Sequence, residues 1–156
     1  MSIQVHIDLG YEFSVKAAAG AVFDVLSDVP ASAAHFPKLH RLVDLGASTY
    51  RWEMEKIGLA QVNLQTVYAS KYTSSKPKGT VTWTPVKDEG NALVSGSWKI
   101  TDNKKSTHLV LKIEGDLTLP LPGLMKMVVA PLVEAEFEKL VEKYIDNLTR
   151  HFGGEA

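Results

Sequence analysis

Apolar and polar residues alternate through the first fifteen positions of the chain. From Ile3 to Val15 every odd position is apolar, whereas the even positions are polar, charged or glycine. A period of two is typical of a β-strand with one buried face. The pattern therefore predicts a long first strand over residues 3–15, and Gly10 in its interior is a natural place for a bend.

A helical spacing replaces the alternation after this strand. Four apolar residues between Val22 and Val29 lie on one side of a helix that we predict for residues 16–29. Pro30 ends that helix, and because proline suits the first turn of a helix, a second short helix is predicted over residues 31–36. No glycine-rich phosphate-binding fingerprint precedes either helix, so the pair is interpreted as a connection within an antiparallel fold.

Six further strands are predicted between residues 39 and 119. Clusters of Gly, Asn, Asp and Pro separate their apolar runs, and such short turns make neighbouring strands antiparallel. Gly96 and Gly115 lie inside two of the strands and predict a strongly curved sheet with bulges or bends. The predicted strands are Leu39–Leu45, Thr49–Lys56, Gln61–Thr73, Thr80–Pro85, Ala92–Thr101 and Ser106–Leu119.

A long C-terminal helix is predicted from Pro122 to Phe152. Beyond Val133 apolar residues recur every three or four positions, which places a single apolar stripe on the helix. Ahead of that point the apolar arc is wider, because Lys126 is the only charged residue there. Pro131 lies where the two arcs change phase, so a kink or a break is predicted at this position.

These elements predict an α+β protein in which a curved, seven-stranded antiparallel sheet surrounds the long C-terminal helix. Their order, together with four short stretches, resembles the START/Bet v 1-like (SRPBCC) superfamily, specifically its polyketide cyclase/dehydrase and lipid-transport branch. The resemblance implies one helix-grip domain over residues 1–156 and a hydrophobic small molecule bound between sheet and helix. The four stretches are Ala21–Asp28, His35–Pro37, Gly96–Ile100 and Leu119–Gly123.

Composition narrows the choice of partners and of cellular location. The net charge is −1 and the lysines are scattered, which argues against a nucleic-acid partner. No apolar run approaches the roughly 20 residues that a membrane span requires. The chain has no cysteine, which excludes disulfides and thiolate chemistry. Since no signal peptide is apparent either, a cytoplasmic location is expected.

Strand parity predicts which side chains face the helix. When the apolar set of each strand is taken as inward, nearly every charged residue points outward. Arg41 is the exception, although a bulge in its short strand would place Leu42 inside instead. The aromatic residues either contact a ligand or simply fill the core. The predicted ligand-contacting residues are Arg41, Tyr50, Trp52, Met54, Tyr68, Tyr72, Trp83, Trp98, Leu111, Ile113, Met125 and Leu132.

Three functions are compatible with these residues. The first is non-catalytic binding or transport of a lipid-, polyketide- or isoprenoid-like molecule, which the uncharged interior favours. The second is a cyclase- or dehydratase-like enzyme using Arg41 and tyrosines, although tyrosine is a poor base at neutral pH. The third is an adaptor that contacts a membrane or a protein through Leu119–Val129, unless the short helices cover that stretch, as we expect. No catalytic triad, metal-ligand spacing or cofactor motif is found, so no catalytic residue, metal or cofactor is predicted.

Overall fold

Seven antiparallel strands form one sheet in the computed structural model of the protein, which describes residues 2–59 and 62–156. A separate two-stranded hairpin pairs β4 with β5. In chain order the strands are β1 Ile3–Val15, β2 Leu39–Gly46, β3 Thr49–Met54, β4 Ile57–Leu59, β5 Val62–Leu64, β6 Val67–Ser75, β7 Thr80–Val86, β8 Ala92–Asp102 and β9 Thr107–Leu119.

The order of strands in the sheet is β1-β9-β8-β7-β6-β3-β2. The first strand therefore pairs along its whole length with the last, from Ile3 opposite Leu119 to Val15 opposite Thr107. The remaining strands follow one another as an antiparallel meander. This arrangement, together with a long C-terminal helix, confirms the predicted α+β architecture with a seven-stranded antiparallel sheet.

One predicted strand, Gln61–Thr73, is divided in the structure. Its first part belongs to the β4–β5 hairpin and its second part is β6, with Gln61 itself outside the described residues. Asn91 holds the chain at the division, because its side chain accepts from the backbone N–H of Val67 and donates to the carbonyl of Gln65. Alternation could not reveal this break, since the inward parity continues unchanged across it.

Three helices follow the predicted order with shifted ends. They are α1 Ala19–Leu26, α2 Val29–Ala33 and α3 Lys126–His151, the last preceded by a 3₁₀ turn over Gly123–Met125. α2 starts before the predicted position because the Asp28 carboxylate accepts a hydrogen bond from the Ala31 N–H at 3.3 Å and caps the helix. Pro30 thus lies in the first turn, where the absence of its N–H costs nothing.

α3 continues through Pro131, so the predicted break is wrong, whereas a kink there stays a prediction. Proline removes the hydrogen bond that would reach the Met127 carbonyl one turn earlier. Met127 is 89% exposed, and water can therefore solvate that carbonyl. The hydrogen bond that Pro131 removes would lie close to the start of the helix, where fewer other backbone hydrogen bonds depend on it.

Two clusters of buried side chains form the core along α3. Val129 and Val133 join the cluster at the leading end of the helix, and Val141 and Leu148 join the cluster at its trailing end. All four are nearly inaccessible to solvent. The candidate functional site lies in the space between the sheet and α3, beside these two clusters.

Gly96 allows an aromatic ring to lie close against β8. It pairs with Trp83 across β7 and β8, and a Cβ at this position would stand 2.3 Å from Cζ2 of the indole and 2.5 Å from the Lys112 carbonyl oxygen. The pairing of β8 with β9 runs through Gly96 without a register shift, whereas the pairing of β8 with β7 ends at this residue. Glycine is required here for close approach, and it fixes where the Trp83 ring stands on the inner face.

We expect Gly96→Ala to lower the free energy of unfolding by about 1–3 kcal/mol, because the added methyl group must displace the Trp83 indole or the backbone of β9. Gly20→Ala is the matched control, since Gly20 lies in α1 and a Cβ there meets nothing within 4 Å. The control should raise stability by about 0.5–1 kcal/mol. Urea unfolding measures both, and a Gly96→Ala protein as stable as the wild type would contradict the steric argument.

Candidate functional site

Two small cavities lie between the sheet and the helices. The larger, of about 60 Å³, is lined by all three tryptophans of the chain and is called the tryptophan chamber. The smaller, of about 50 Å³, reaches Ile7 and Leu9 of β1 and is called the β1 chamber. Each is smaller than the roughly 150 Å³ cavity that admits benzene. The space between the sheet and the helices is therefore small, because aromatic rings occupy much of the interior.

Aromatic side chains with hydrogen-bonding groups surround the tryptophan chamber. The Trp52 indole N–H donates to the Tyr72 hydroxyl at 2.9 Å, and the hydroxyls of Ser32 and Tyr144 are hydrogen-bonded to each other. Trp52 also stacks on Tyr68, with ring centroids 6.0 Å apart and the planes 9° from parallel. No charged residue lines this chamber among the residues that the structure describes.

The β1 chamber is more apolar. Met54, Phe137 and Val141 contribute to its wall together with the residues of β1. Asp116 is the one charged residue that borders either chamber within the described ranges. Its carboxylate is hydrogen-bonded to His6 Nδ1 at 2.8 Å in an exposed pair, so its charge is directed away from the interior.

Burial keeps the tyrosines of the interior in their neutral form. It raises the pKa of Tyr144 to about 12, an effect that the hydrogen bond with Ser32 opposes. The pKa values of Tyr68 and Tyr72 also lie above the usual range for tyrosine, again chiefly because the rings are buried. At neutral pH these hydroxyls can donate and accept hydrogen bonds, but they are poor proton acceptors for catalysis.

The Tyr68 hydroxyl differs from the other two. Tyr68 is only 9% exposed and lines both chambers, yet its hydroxyl makes no hydrogen bond with a residue in the described part of the chain. No fully enclosed side-chain oxygen or nitrogen lacks a partner among the described residues, so this hydroxyl opens onto the chamber space. A polar atom of a bound molecule could form a hydrogen bond with it.

Eight of the predicted ligand-contacting residues line the chambers. Tyr50 packs beside them, with its ring centroid 6.0 Å from that of Tyr72, but borders neither cavity. Met125 packs against the core, and Leu132 is 40% exposed, so neither of these lies in a cavity wall. Contact with a ligand stays a prediction for the residues that line the walls, which are Trp52, Met54, Tyr68, Tyr72, Trp83, Trp98, Leu111 and Ile113.

Arg41 does not face the interior, so the inward position predicted for it is wrong. The pairing of β2 with β3 shifts register between Leu39 and Arg41, which is the bulge considered as the alternative. The Arg41 side chain is 61% exposed and its Nη2 lies 3.0 Å from Glu53 Oε2. Leu42 packs against the core instead.

Strand parity missed the part of the wall that helices and a loop supply. Ser32 of α2, Phe36 of the following loop, and Phe137 and Tyr144 of α3 all border a chamber. The apolar stripe of α3 already included Phe137 and Tyr144 and could have identified both. Phe36 is flanked by His35 and a proline, a sequence that gives no indication of where its ring points.

No protein-family model matches the sequence. No curated protein matches it either. Solved structures do resemble the fold. A START superfamily protein from Mycobacterium smegmatis is 16% identical, with a TM-score of 0.65 over 94% of this chain and 97% of its own.

Two further similar structures carry names that describe an activity. An aromatase/cyclase from a Streptomyces species is 17% identical, with a TM-score of 0.59 over 95% of this chain and 90% of its own. Norcoclaurine synthase from Thalictrum flavum, in complex with dopamine and hydroxybenzaldehyde, is 13% identical, with a TM-score of 0.60 over 95% and 88%. At such identities the likeness extends to the fold alone. The chain has the START/Bet v 1-like helix-grip fold.

The buried tyrosines predict that the protein loses stability in alkali. Their pKa values are raised in the folded state, so their contribution is complete below about pH 10, the unfolded value, and is lost as pH rises toward 12. Each such tyrosine lowers the free energy of unfolding by about 1.4 kcal/mol per pH unit in this window. Tyr144→Phe should reduce that slope in urea unfolding between about pH 10 and 12.

Tyr50→Phe is the control for this experiment. Its ring is partly exposed, and burial raises its pKa less than that of Tyr144. The slope should therefore change less in Tyr50→Phe than in Tyr144→Phe. Equal slopes for the wild type and Tyr144→Phe would show that Tyr144 ionises freely in the folded protein.

Proposed function

We propose that the protein binds a hydrophobic small molecule with one polar end between the sheet and α3. The observation that carries this proposal is the unfilled, uncharged space beside the Tyr68 hydroxyl, which has no partner among the described residues. An apolar enclosure with a few hydrogen-bonding groups is the usual form of a small-molecule site. Lipid-, polyketide- and isoprenoid-like molecules all fit this chemistry.

The resemblance to solved structures supports the same class of ligand. The norcoclaurine synthase structure is described as a complex with two small aromatic compounds, and another similar protein is an aromatase/cyclase. Both have the fold of this chain. Aromatic side chains that surround the tryptophan chamber would suit a ligand with an unsaturated or aromatic body.

Binding is favoured over a cyclase- or dehydratase-like activity. The enzyme alternative required Arg41 inside, and Arg41 instead pairs with Glu53 on the outer side of the sheet. The ionisable groups that remain in the walls are Asp116, whose carboxylate is paired with His6 in an exposed pair, and tyrosines whose pKa values are raised by burial, which leaves them neutral. We therefore propose a carrier or sensor, and the cytoplasmic location expected from the sequence stays a prediction.

Tryptophan fluorescence provides a direct test, because all three tryptophans line one chamber. We expect farnesol or palmitate to change the emission of the purified protein with saturation at one molecule per chain, because a ligand of this size must displace the aromatic rings that occupy the interior; native mass spectrometry confirms the ratio. Val94→Phe should weaken binding about tenfold, equivalent to about 1.4 kcal/mol, because Val94 lines both chambers and a larger side chain fills them.

Leu93→Phe is the matched control, since the neighbouring residue is exposed on the opposite face of β8. It should bind like the wild type. If neither these two lipids nor 2-naphthol, tested by calorimetry, binds to the wild type, the proposed function is wrong.

A second function is favoured by the leading end of α3, whose apolar residues remain exposed. Leu124 is 94% exposed and Met127 is 89% exposed, with Val128 and Leu132 beside them. We call these four residues the α3 patch. Within the predicted stretch Leu119–Val129, Leu119, Leu121 and Val129 are buried, whereas Leu124, Met127 and Val128 stay exposed. The short helices do not cover the exposed part, since α1 packs on β8 and α2 on β2. No helix in the described part of the chain is long and apolar enough to cross a membrane.

We propose that the α3 patch contacts an anionic lipid surface. Lys126 is the only charged residue between Thr118 and Val133, so the patch carries a positive charge and no negative one. A protein partner would bury these side chains equally well, but the charge favours anionic headgroups. Contiguous exposed apolar side chains are typical of such contact sites.

Co-sedimentation with vesicles tests this second function. The wild type should bind vesicles of equal parts phosphatidylglycerol and phosphatidylcholine more strongly than pure phosphatidylcholine, and Leu124→Glu/Met127→Glu should abolish binding. Lys126→Gln should weaken it about fivefold, because one lysine contributes about 1 kcal/mol near an anionic surface.

The control is Leu45→Glu/Leu93→Glu, which changes two leucines exposed elsewhere on the protein. This variant should bind vesicles like the wild type. Absence of wild-type binding to both lipid mixtures would reject the membrane function and leave small-molecule binding unaffected.

A further inference from the structure

Phe36 lies between the two chambers. It is one of four residues that line both, together with Tyr68, Val94 and Ile113. Its ring packs edge-on against Trp52, with centroids 5.7 Å apart, and against Tyr144 at 5.3 Å. We propose that Phe36 is a movable partition that sets the size of the ligand, an inference that rests on the proposed small-molecule function.

The other three residues of the shared wall are held by the sheet. Tyr68, Val94 and Ile113 belong to β6, β8 and β9, each of which is hydrogen-bonded to a strand on both sides. Phe36 instead lies in the loop between α2 and β2, and its side chain is only partly buried. It is therefore the part of the wall that can move without disturbing the sheet.

The backbone around Phe36 is anchored at both sides, so a rotation of the side chain is the simplest movement. Asn147 Nδ2 of α3 donates to the His35 carbonyl at 2.9 Å. On the other side, the N–H of Glu55 donates to the Lys38 carbonyl at 2.8 Å. A phenyl ring on a fixed backbone can turn between staggered rotamers, and in doing so Phe36 gives up its contacts with Trp52 and Tyr144.

Rotation of Phe36 would join the tryptophan chamber to the β1 chamber. Neither chamber alone admits a benzene-sized molecule, whereas both together with the volume vacated by a phenyl ring would take a larger one. The Tyr68 hydroxyl belongs to a residue common to both chambers and lacks a partner within the described chain. The ligand class that fits is an apolar body of about two fused rings with a single hydroxyl or carbonyl oxygen.

The test measures binding of 2-naphthol and naphthalene by equilibrium dialysis to four proteins. These are the wild type, Phe36→Ala, the more conservative Phe36→Leu, and Phe137→Ala, which removes the same ring from the β1 chamber alone. If the ring is displaced in about a tenth of wild-type molecules, Phe36→Ala should bind 2-naphthol about tenfold more tightly. Phe36→Leu should show an intermediate gain, and Phe137→Ala a smaller gain than Phe36→Ala, because it enlarges the β1 chamber without joining it to the tryptophan chamber.

Tyr68→Phe in the Phe36→Ala background tests the polar contact. It should remove the preference for 2-naphthol over naphthalene, while naphthalene binding stays the same. An unchanged preference would overturn the role of Tyr68. Circular dichroism establishes that each variant is folded, and Phe36→Leu preserves the test if Phe36→Ala is not.

Two outcomes distinguish failure of the Phe36 proposal from failure of the small-molecule function on which it rests. If wild-type protein binds 2-naphthol as tightly as both Phe36 variants, or if Phe137→Ala gains as much, the partition is rejected and small-molecule binding stands. If none of the four proteins binds either probe while farnesol and palmitate also fail, both are rejected.

Discussion

Burial of α3 against the inner face of the sheet is the interaction on which the rest of the structure depends. Removal of this apolar surface from water is the main favourable term in folding, at roughly 25 cal/mol per Å². The trailing end of the helix is also tied by backbone hydrogen bonds, because the N–H of Ala17 donates to the Phe152 carbonyl at 3.0 Å and that of Lys16 to the Gly154 carbonyl at 3.1 Å. The leading end has the exposed α3 patch instead. The buried side of α3 borders the proposed ligand site, and its exposed leading end forms the proposed membrane contact. One helix can therefore serve both proposed functions.

The space that a curved sheet leaves beside one helix is filled here largely by aromatic rings. Tryptophan and tyrosine occupy volume with few rotatable bonds and still carry a hydrogen-bonding group. Trp52, Tyr72 and Tyr144 already use those groups inside the protein, in the pairs Trp52 with Tyr72 and Ser32 with Tyr144. The interior is consequently neutral and nearly closed. Its capacity for a ligand depends on a side chain that moves and on the Tyr68 hydroxyl.

Charged and uncharged side chains are divided between the two faces of the sheet, with nearly all charges on the outer face. Charged residues of the strands pair with one another on the outer face, as Arg51 does with Glu53 at 2.9 Å and with Glu89 at 3.3 Å. Such pairs at the protein surface contribute little to stability. They leave Asp116 as the one charged residue that borders a chamber within the described ranges, so the walls are suited to recognition of shape and of one polar atom.

The sequence by itself determined the elements and the face of each strand that is buried. Alternation identified β1, and the inward parity of Trp52, Tyr68 and Trp98 was correct, because side chains alternate between the two faces of a strand. It could not place Arg41, since a bulge of one residue reverses parity without a trace in composition. Only the tertiary structure brought Phe36 between the two chambers and left the α3 patch uncovered. Both facts depend on how a loop and two short helices pack against distant strands, and a periodic pattern along one segment carries no information about its distance from another.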